Sequence, residues 1–347
     1  MSNIVVHGKG GIRVEVVLHS ISEAGKEIIT FLRDYPRIVH AEDLKHRMFS
    51  NSAASSRAIP AAKMAEQLTG MPVSFGKNQS GMQAGEEHNE PVVVGEDTAG
   101  WPFEYSPEGA WNIAKESAQF LSKAFAEAGY HKQVCNRLTE PFQMIRVLTT
   151  ATETDNFYWL RDDTAADPTL QELARCMREA HKKSVPQVLR AGEWHLPFVD
   201  YYQEVIGSTA DDISITGPQI FYIGEPPYGI VRDGTFQELT LDEAIKVSCA
   251  RCAATSFRNE NYGLEKSLQV YDRLVNGAKV HAGALEHCAS VMQPETSDFY
   301  PDGNVPTVPA SWEPGVSHAD RNGNLWSGNF KGWVQYRKLV PNECYTK

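Results

Sequence analysis

Ile12, Val14, Val16 and Leu18 recur with the period of two expected of a half-buried strand. A second apolar run, Ile28 to Leu32, follows the polar, Gly-containing SEAGKE, so the two predict a β-hairpin closed by Pro36. Ile38, Val39, Ala41, Leu44 and Met48 fit a short helix over 37–48, which runs into the Ser-rich SNSAASSRAIP. From 108 to 129, Trp111, Ala114, Ala118, Leu121, Phe125 and Ala128 step by three and four, predicting an amphipathic helix that ends at Gly129. Another helix is predicted through RVLTTATETDNFYWLR. The next starts at Pro168, with Asp167 as N-cap and Leu170, Leu173 and Met177 facing inward.

Gly and Pro punctuation among β-branched and aromatic residues predicts short strands over 213–236. Thr240-x-x-Glu243 is a capping box opening a helix to about Ala254. Leu264, Leu268, Tyr271 and Leu274 then share one helical face, and WVQYRKLV reads as a final strand. Two stretches rich in Gly, Pro and acidic residues, about 71–107 and 294–324, stand apart as long loop insertions. The expectation is a single catalytic domain over 1–347 with these two excursions, the first of a lid or contact-arm kind.

The composition of the 347 residues, 41% hydrophobic and 22% charged, is that of a folded chain. The net charge of −11 argues against a general nucleic-acid or anionic-membrane surface, so an anion site must be a local basic cluster. There is no apolar run of spanning length and no signal-peptide pattern at the start, which predicts an intracellular, cytoplasmic protein without a membrane partner. Six irregularly spaced cysteines read as free thiols.

Three groups of residues carry candidate chemistry. His7-Gly-Lys-Gly-Gly sounds like a phosphate loop, but lacks the spaced Gly-Lys-Ser/Thr and has no predicted strand before it. Cys249-x-x-Cys252, with His281, His287 and Cys288 downstream, could supply the four ligands of a zinc site. Both cysteines fall inside a predicted helix, where two small apolar packers are the preferred reading, and no metal ligand is assigned. The densest group is Lys45-His46-Arg47 followed by Ser50 and Ser55-Ser56-Arg57, which offers ammonium, guanidinium and hydroxyl donors to an anion. A solvated basic helix end is the alternative.

KHRMFSNSAASSR resembles the signature of the flavin-dependent thymidylate synthases, Arg-His-Arg, two residues, Ser, four residues, Ser, one residue, Arg. Lys45, His46, Arg47, Ser50, Ser55 and Arg57 fill it without a gap. TETDNFYWLRDDTAADPTLQELA is similar to the family's Asn-Phe-x-x-Leu-Arg helix and supplies Asn156 and Arg161. Arg251 to Ser256 and HAGALEH, residues 281–287, resemble two further family segments. Both follow the basic signature here, whereas in the common form they precede it. The order therefore looks circularly permuted, similar to the longer, rearranged forms among phage proteins.

The resemblance implies an α/β (α+β) fold, a twisted sheet with surrounding helices, and C5 methylation of a pyrimidine deoxynucleoside monophosphate, dUMP to dTMP. It implies FAD, NADPH and methylenetetrahydrofolate, and a homotetramer with shared sites. By the same carry-over Glu42, Ser55, Ser56, Arg57 and Arg161 meet the substrate, with Ser55 and Arg161 catalytic. Lys45, His46, Arg47, Asn156, Ser256, His281 and Glu286 face the flavin.

The departures from the family are Lys45 for Arg, Ser52 and Ala53 for Asn and Glu, and Gly283-Ala284 for Thr-Pro or Ser-Pro. Glu42 stands where it could replace the missing carboxylate. Asp162, Asp163 and Asp167 follow Arg161 and could accept from an exocyclic amine, which would turn the preference to dCMP methylation or hydroxymethylation; otherwise they simply favour a helix start. A flavin- or nucleotide-binding protein without turnover is the alternative of a different class.

Overall fold

A computed structural model describes residues 4–81, 83–201, 228–232, 234–293 and 312–345. The strands β1 (Val5–His7), β2 (Arg13–Ser22), β3 (Glu27–Pro36) and β4 (Ser50–Ala53) are followed by a hairpin of β5 (Val92–Glu96) and β6 (Pro102–Tyr105). Then come β7 (Met144–Ala151) and β8 (Gln187–Leu189). The main sheet runs β1-β2-β3-β7-β4 and is antiparallel throughout, except that β8 adds a parallel pairing to the far end of β2. The fold is mixed α+β with several antiparallel sheets.

The helices are α1 (His40–Asp43), α2 (Ala61–Ala65), α3 (Pro107–Glu127), α4 (Lys132–Cys135), α5 (Asp155–Arg161), α6 (Pro168–Lys183), α7 (Leu241–Ala254) and α8 (Leu264–Val275). Leu170, Leu173, Cys176, Met177 and Ala180 of α6 join Val14, Val16, Phe31 and Tyr35 in one core on one face of the sheet. Leu32 and Leu148 face the other way, into a second core with Ile245, Val247, Cys249 and Cys252 of α7. The sheet is thus covered on both faces, as the near-continuous burial along β3 and β7 requires.

Small sheets complete the second side. Trp194–His195 (β9), Asp200–Tyr201 (β10), Tyr228–Arg232 (β11), Thr235–Leu239 (β12) and Ala289–Val291 (β13) precede His318–Ala319 (β14), Leu325–Ser327 (β15), Phe330–Lys331 (β16) and Trp333–Gln335 (β17). They pair as β10-β11-β12, β17-β13-β9 and β14-β15-β16. No helix among the described residues is long and apolar enough to cross a membrane.

The hairpin, the Asp167 cap, the Thr240–Glu243 capping box and the helix from Leu264 are as the pattern predicts. Four elements differ. The final strand read over WVQYRKLV ends at Gln335 and passes into a 3-10 helix over Tyr336–Leu339. The helix predicted through RVLTTATETDNFYWLR is a strand, Met144–Ala151, followed by the short helix Asp155–Arg161, because Ile145, Val147, Thr149 and Thr150 are β-branched and fill a slot between two strands. The helix predicted over 37–48 ends at Asp43, which leaves Lys45, His46 and Arg47 in a turn. The Ser-rich segment after it contains strand β4, although SNSA has no strand-forming side chain.

A strand also precedes the His7-Gly-Lys-Gly-Gly loop, contrary to expectation. There the Lys9 N–H donates to the Glu172 carboxylate at 2.9 Å, and a Cβ at Gly8 would stand 2.6 Å from Cys176 Sγ. The glycine permits close packing on α6, and a carboxylate of the chain itself occupies the amide. Of the two excursions, 71–107 contains the β5–β6 hairpin, and 294–311 lies outside the described residues. The strands predicted over 213–236 are found where that range is described, at 228–232 and from 235.

α3 spans Pro107–Glu127 as predicted, yet its apolar stripe is covered at one end only. Trp111 donates to the Gly70 carbonyl and packs on Phe142, whereas Leu121 of the stripe is 48% exposed, with Phe120 beside it also exposed.

Candidate functional site

β4 organises the signature segment. Asn51 points toward one face, where its side-chain oxygen accepts from Arg33 at 3.1 Å and from Thr149 at 2.6 Å. Ser50 and Ser52 point toward the other, Ser50 to Asn329 and Gln335, and Ser52 to His287. Arg33 is fully buried and forms a two-pronged pair with Asp43 at 2.8 and 2.9 Å, to which Tyr35 also donates. This pair locks α1 to β3 and so fixes where the basic turn begins. The guanidinium and the Tyr35 hydroxyl hold the Asp43 carboxyl below the usual carboxylate range against the opposing effect of burial.

Beyond β4 the chain enters a cavity of about 940 Å³. Ser52, Ser55 and Arg57 form one wall, Ser256 and Phe257 at the end of α7 a second, and His281 to Ala284 a third. The Ser55 N–H donates to the Ser256 carbonyl at 3.4 Å and the Ser256 hydroxyl to the Ala53 carbonyl, which joins the first two walls. Lys132 of α4 and Arg273 of α8 add positive charge, and no carboxylate is among the described residues lining the cavity. In a chain of net charge −11, a hollow lined by cations and free of carboxylates among the described residues has the local charge an anion site requires. A Cβ at Gly283 would meet nothing within 4 Å, so this wall is open there.

Behind the cavity runs a continuous chain of buried hydrogen bonds. Ser52 Oγ lies 2.9 Å from His287 Nε2, His287 Nδ1 2.9 Å from Thr150 Oγ1, and Thr150 2.7 Å from Thr30. Thr30 continues to His195 Nε2 at 2.9 Å, and His195 Nδ1 to Ser20 at 2.8 Å. Each neutral imidazole supplies one donor and one acceptor, which suits such a chain. Burial pushes the His287 pKa down to about 3 and holds His195 well below its ordinary value.

The remaining signature residues group elsewhere. Arg161 Nε donates to His46 Nε2 at 2.9 Å, and the His46 ring sits edge-on against Phe157, 4.7 Å between centroids. Burial first and the Arg161 charge second lower the His46 pKa, so the imidazole is the neutral acceptor this bond requires. Lys45, Arg47 and Asn156 are exposed, as is Trp159 of the same helix as Asn156, at 76%. None of these residues lines the cavity.

Ser56 is buried and donates to Glu140, leaving Ser55 and Arg57 on the cavity wall. Glu286 pairs with Arg337, and Glu42 is half-buried on α1 outside the cavity. Each of the three acids after Arg161 is engaged locally. Asp162 pairs with Arg178, Asp163 accepts from the Ala165 N–H, and Asp167 accepts from the Thr169 and Leu170 N–H groups.

Cys249 and Cys252 are buried packers on α7, with Cys249 Sγ 3.6 Å from Cys288 Sγ. His287 turns to Ser52 and Thr150, and His281 to the cavity, so the candidate zinc residues do not form one ligand set. Lys132, Arg273 and His195 escape sequence reasoning, since they belong to no motif, and the chain that joins His195 to His287 links residues distant in the sequence. No family model matches this chain, and no curated protein matches it.

Proposed function

We propose that the protein is a flavin-dependent thymidylate synthase-like methyltransferase with a circularly permuted order of segments, converting deoxyuridylate to thymidylate. The observation that carries this reading is convergence: Ser55 and Arg57, Ser256, and His281 come from three distant segments and line one cation-rich cavity. A site built from neighbours in space depends on where each segment enters it, not on chain order, so the rearranged order is compatible with the family's chemistry.

The volume and charge of the cavity support a phosphate-bearing ligand there. The volume is near the upper end for small-molecule sites, roughly 300–1,000 Å³, and the charge suits phosphates. In this reading FAD would supply the hydride, methylenetetrahydrofolate the carbon and NADPH the reducing equivalents. The task of the chain is to position and to stabilise charge. Arg57, Lys132 and Arg273 neutralise phosphate, and Ser55 and Ser256 donate hydrogen bonds. Arg161 stabilises negative charge on the activated pyrimidine, its guanidinium oriented by neutral His46.

Because Arg161 and His46 stand outside the cavity, the reading requires a homo-oligomer, the tetramer of the resemblance, in which one copy's Arg161 surface meets another's cavity. The exposed Trp159, Lys45, Arg47 and Asn156 suit such a shared surface. The local engagement of Asp162, Asp163 and Asp167 favours uracil over cytosine, since none is left to accept from an exocyclic amine without giving up a partner.

The test is anaerobic reduction of the purified protein with FAD and NADPH, followed by mass analysis of products from each pyrimidine monophosphate with methylenetetrahydrofolate. Thymidylate from deoxyuridylate is expected. A product from deoxycytidylate alone, or bound flavin without turnover, overturns the reading. Arg57→Ala should weaken nucleotide binding by about 1.5–3 kcal/mol, the worth of a charge-assisted hydrogen bond, with flavin binding nearly intact.

A further inference from the structure

On the α6 side of the sheet, His19 of β2, Glu27 at the start of β3 and His181 in the last turn of α6 come together. One ring nitrogen from each histidine and one Glu27 carboxylate oxygen lie within 4.8 Å of one another. His181 Nε2 stands 3.4 Å from Glu27 Oε2. In tetrahedral zinc with bonds of roughly 2.1 Å, neighbouring ligand atoms are separated by about 3.4 Å.

The opposite ring nitrogens are already engaged. His19 Nδ1 lies 3.0 Å from Ser184 Oγ, and His181 Nδ1 lies 3.2 Å from the Tyr158 hydroxyl. Such outward hydrogen bonds set the tautomer and the ring orientation of metal-binding histidines. His19 is only 6% exposed, yet its Nε2 has no hydrogen-bond partner among the described residues. A buried polar atom without a partner costs stability unless something else satisfies it.

We propose that His19 Nε2, His181 Nε2 and the Glu27 carboxylate bind a divalent first-row transition ion of the zinc class. Two imidazoles and one carboxylate are a donor set for zinc or its neighbours in the series, not for magnesium or calcium, which take oxygen ligands. Three protein ligands leave a fourth position for water, and the 45% exposed Glu27 side chain opens the site to solvent for entry of the ion. The ion would tie the C-terminal end of α6 to the β2–β3 hairpin. The competing account is a plain His181–Glu27 ion pair, which needs no metal and leaves His19 Nε2 unsatisfied.

The test uses the full chain, stripped with a chelator and titrated with Zn²⁺, read by calorimetry and by melting temperature. One zinc per chain and a zinc-dependent rise in melting temperature are expected, because an ion that binds only the folded state stabilises it. Glu27→Gln and His181→Gln should each weaken zinc binding at least tenfold, and Ser184→Ala by roughly tenfold, the usual effect of removing an orienting partner. Cys344→Ser and Arg57→Ala should leave it unchanged. Co²⁺ should give visible d–d absorption without a thiolate charge-transfer band. No rise in melting temperature with Zn²⁺, a thiolate band with Co²⁺, or wild-type affinity in both Glu27→Gln and His181→Gln would overturn the proposal. Glu27 is the most exposed of the three ligands, so its variant remains informative if those at the histidines fail to fold.

Discussion

Lowering the pH from 7 to 5 should destabilise this protein in proportion to how strongly the interior resists a proton at His287. The imidazole is fully buried between Ser52 and Thr150, and burial holds its pKa at about 3. In the unfolded chain the value returns to about 6.5, so the unfolded state takes up the proton first as the pH falls. The stabilisation is complete above the unfolded value and is lost progressively down to the folded one. At pH 5 the unfolded histidine is roughly 1.5 pH units below its midpoint while the folded one is still neutral, a loss of about 2 kcal/mol from this residue. His195, held low by the same burial, acts in the same direction. Urea unfolding at both pH values, with wild type and His287→Gln compared in chelator, isolates the contribution. The variant should start less stable and lose about 2 kcal/mol less on acidification. Parallel pH profiles for the two proteins would refute the reasoning.

Asp43→Ala should cost about 3–5 kcal/mol in urea unfolding, the range for breaking a buried ion pair, because it leaves the fully buried Arg33 guanidinium without its carboxylate. Replacing both partners with apolar residues should recover most of that loss; a double variant as weak as the single one would contradict the account. Thr240→Ala removes one half of the capping box on α7 and should cost about 1 kcal/mol, read as a lowered melting temperature; an unchanged melting temperature would contradict it.

Local chemistry was legible wherever a residue's neighbours in the chain decide its state. The Asp167 cap, the Thr240–Glu243 box, the helical face from Leu264 and the period-two strand from Ile12, which a bulge between Val16 and Leu18 interrupts, depend on spacing, and spacing is written in the sequence. The basic signature is legible as a cluster, and its Ser55 and Arg57 meet Ser256 and His281 of two other segments at one cavity. The strand Met144–Ala151 was misread because its apolar run has no strand period, both of its faces being covered. β4 was missed because its partners are polar: Ser50, Asn51 and Ser52 pair with Gln335, Arg33 and His287.

By itself, then, the sequence determined the capped helices, the opening hairpin and the placing of cations and hydroxyls in one short segment, because these follow from nearest-neighbour sterics and hydrogen bonding. Tertiary structure alone decided the direction each of those side chains takes. It sent Ser56 to Glu140 and Arg161 to His46, surrounded the cavity with Lys132 and Arg273, and turned His287 inward to Ser52. It also brought His19, Glu27 and His181 together from positions that no motif links. Contacts between residues distant in the chain depend on how the sheet is ordered and covered, and the strand order β1-β2-β3-β7-β4 emerges only when the whole chain packs.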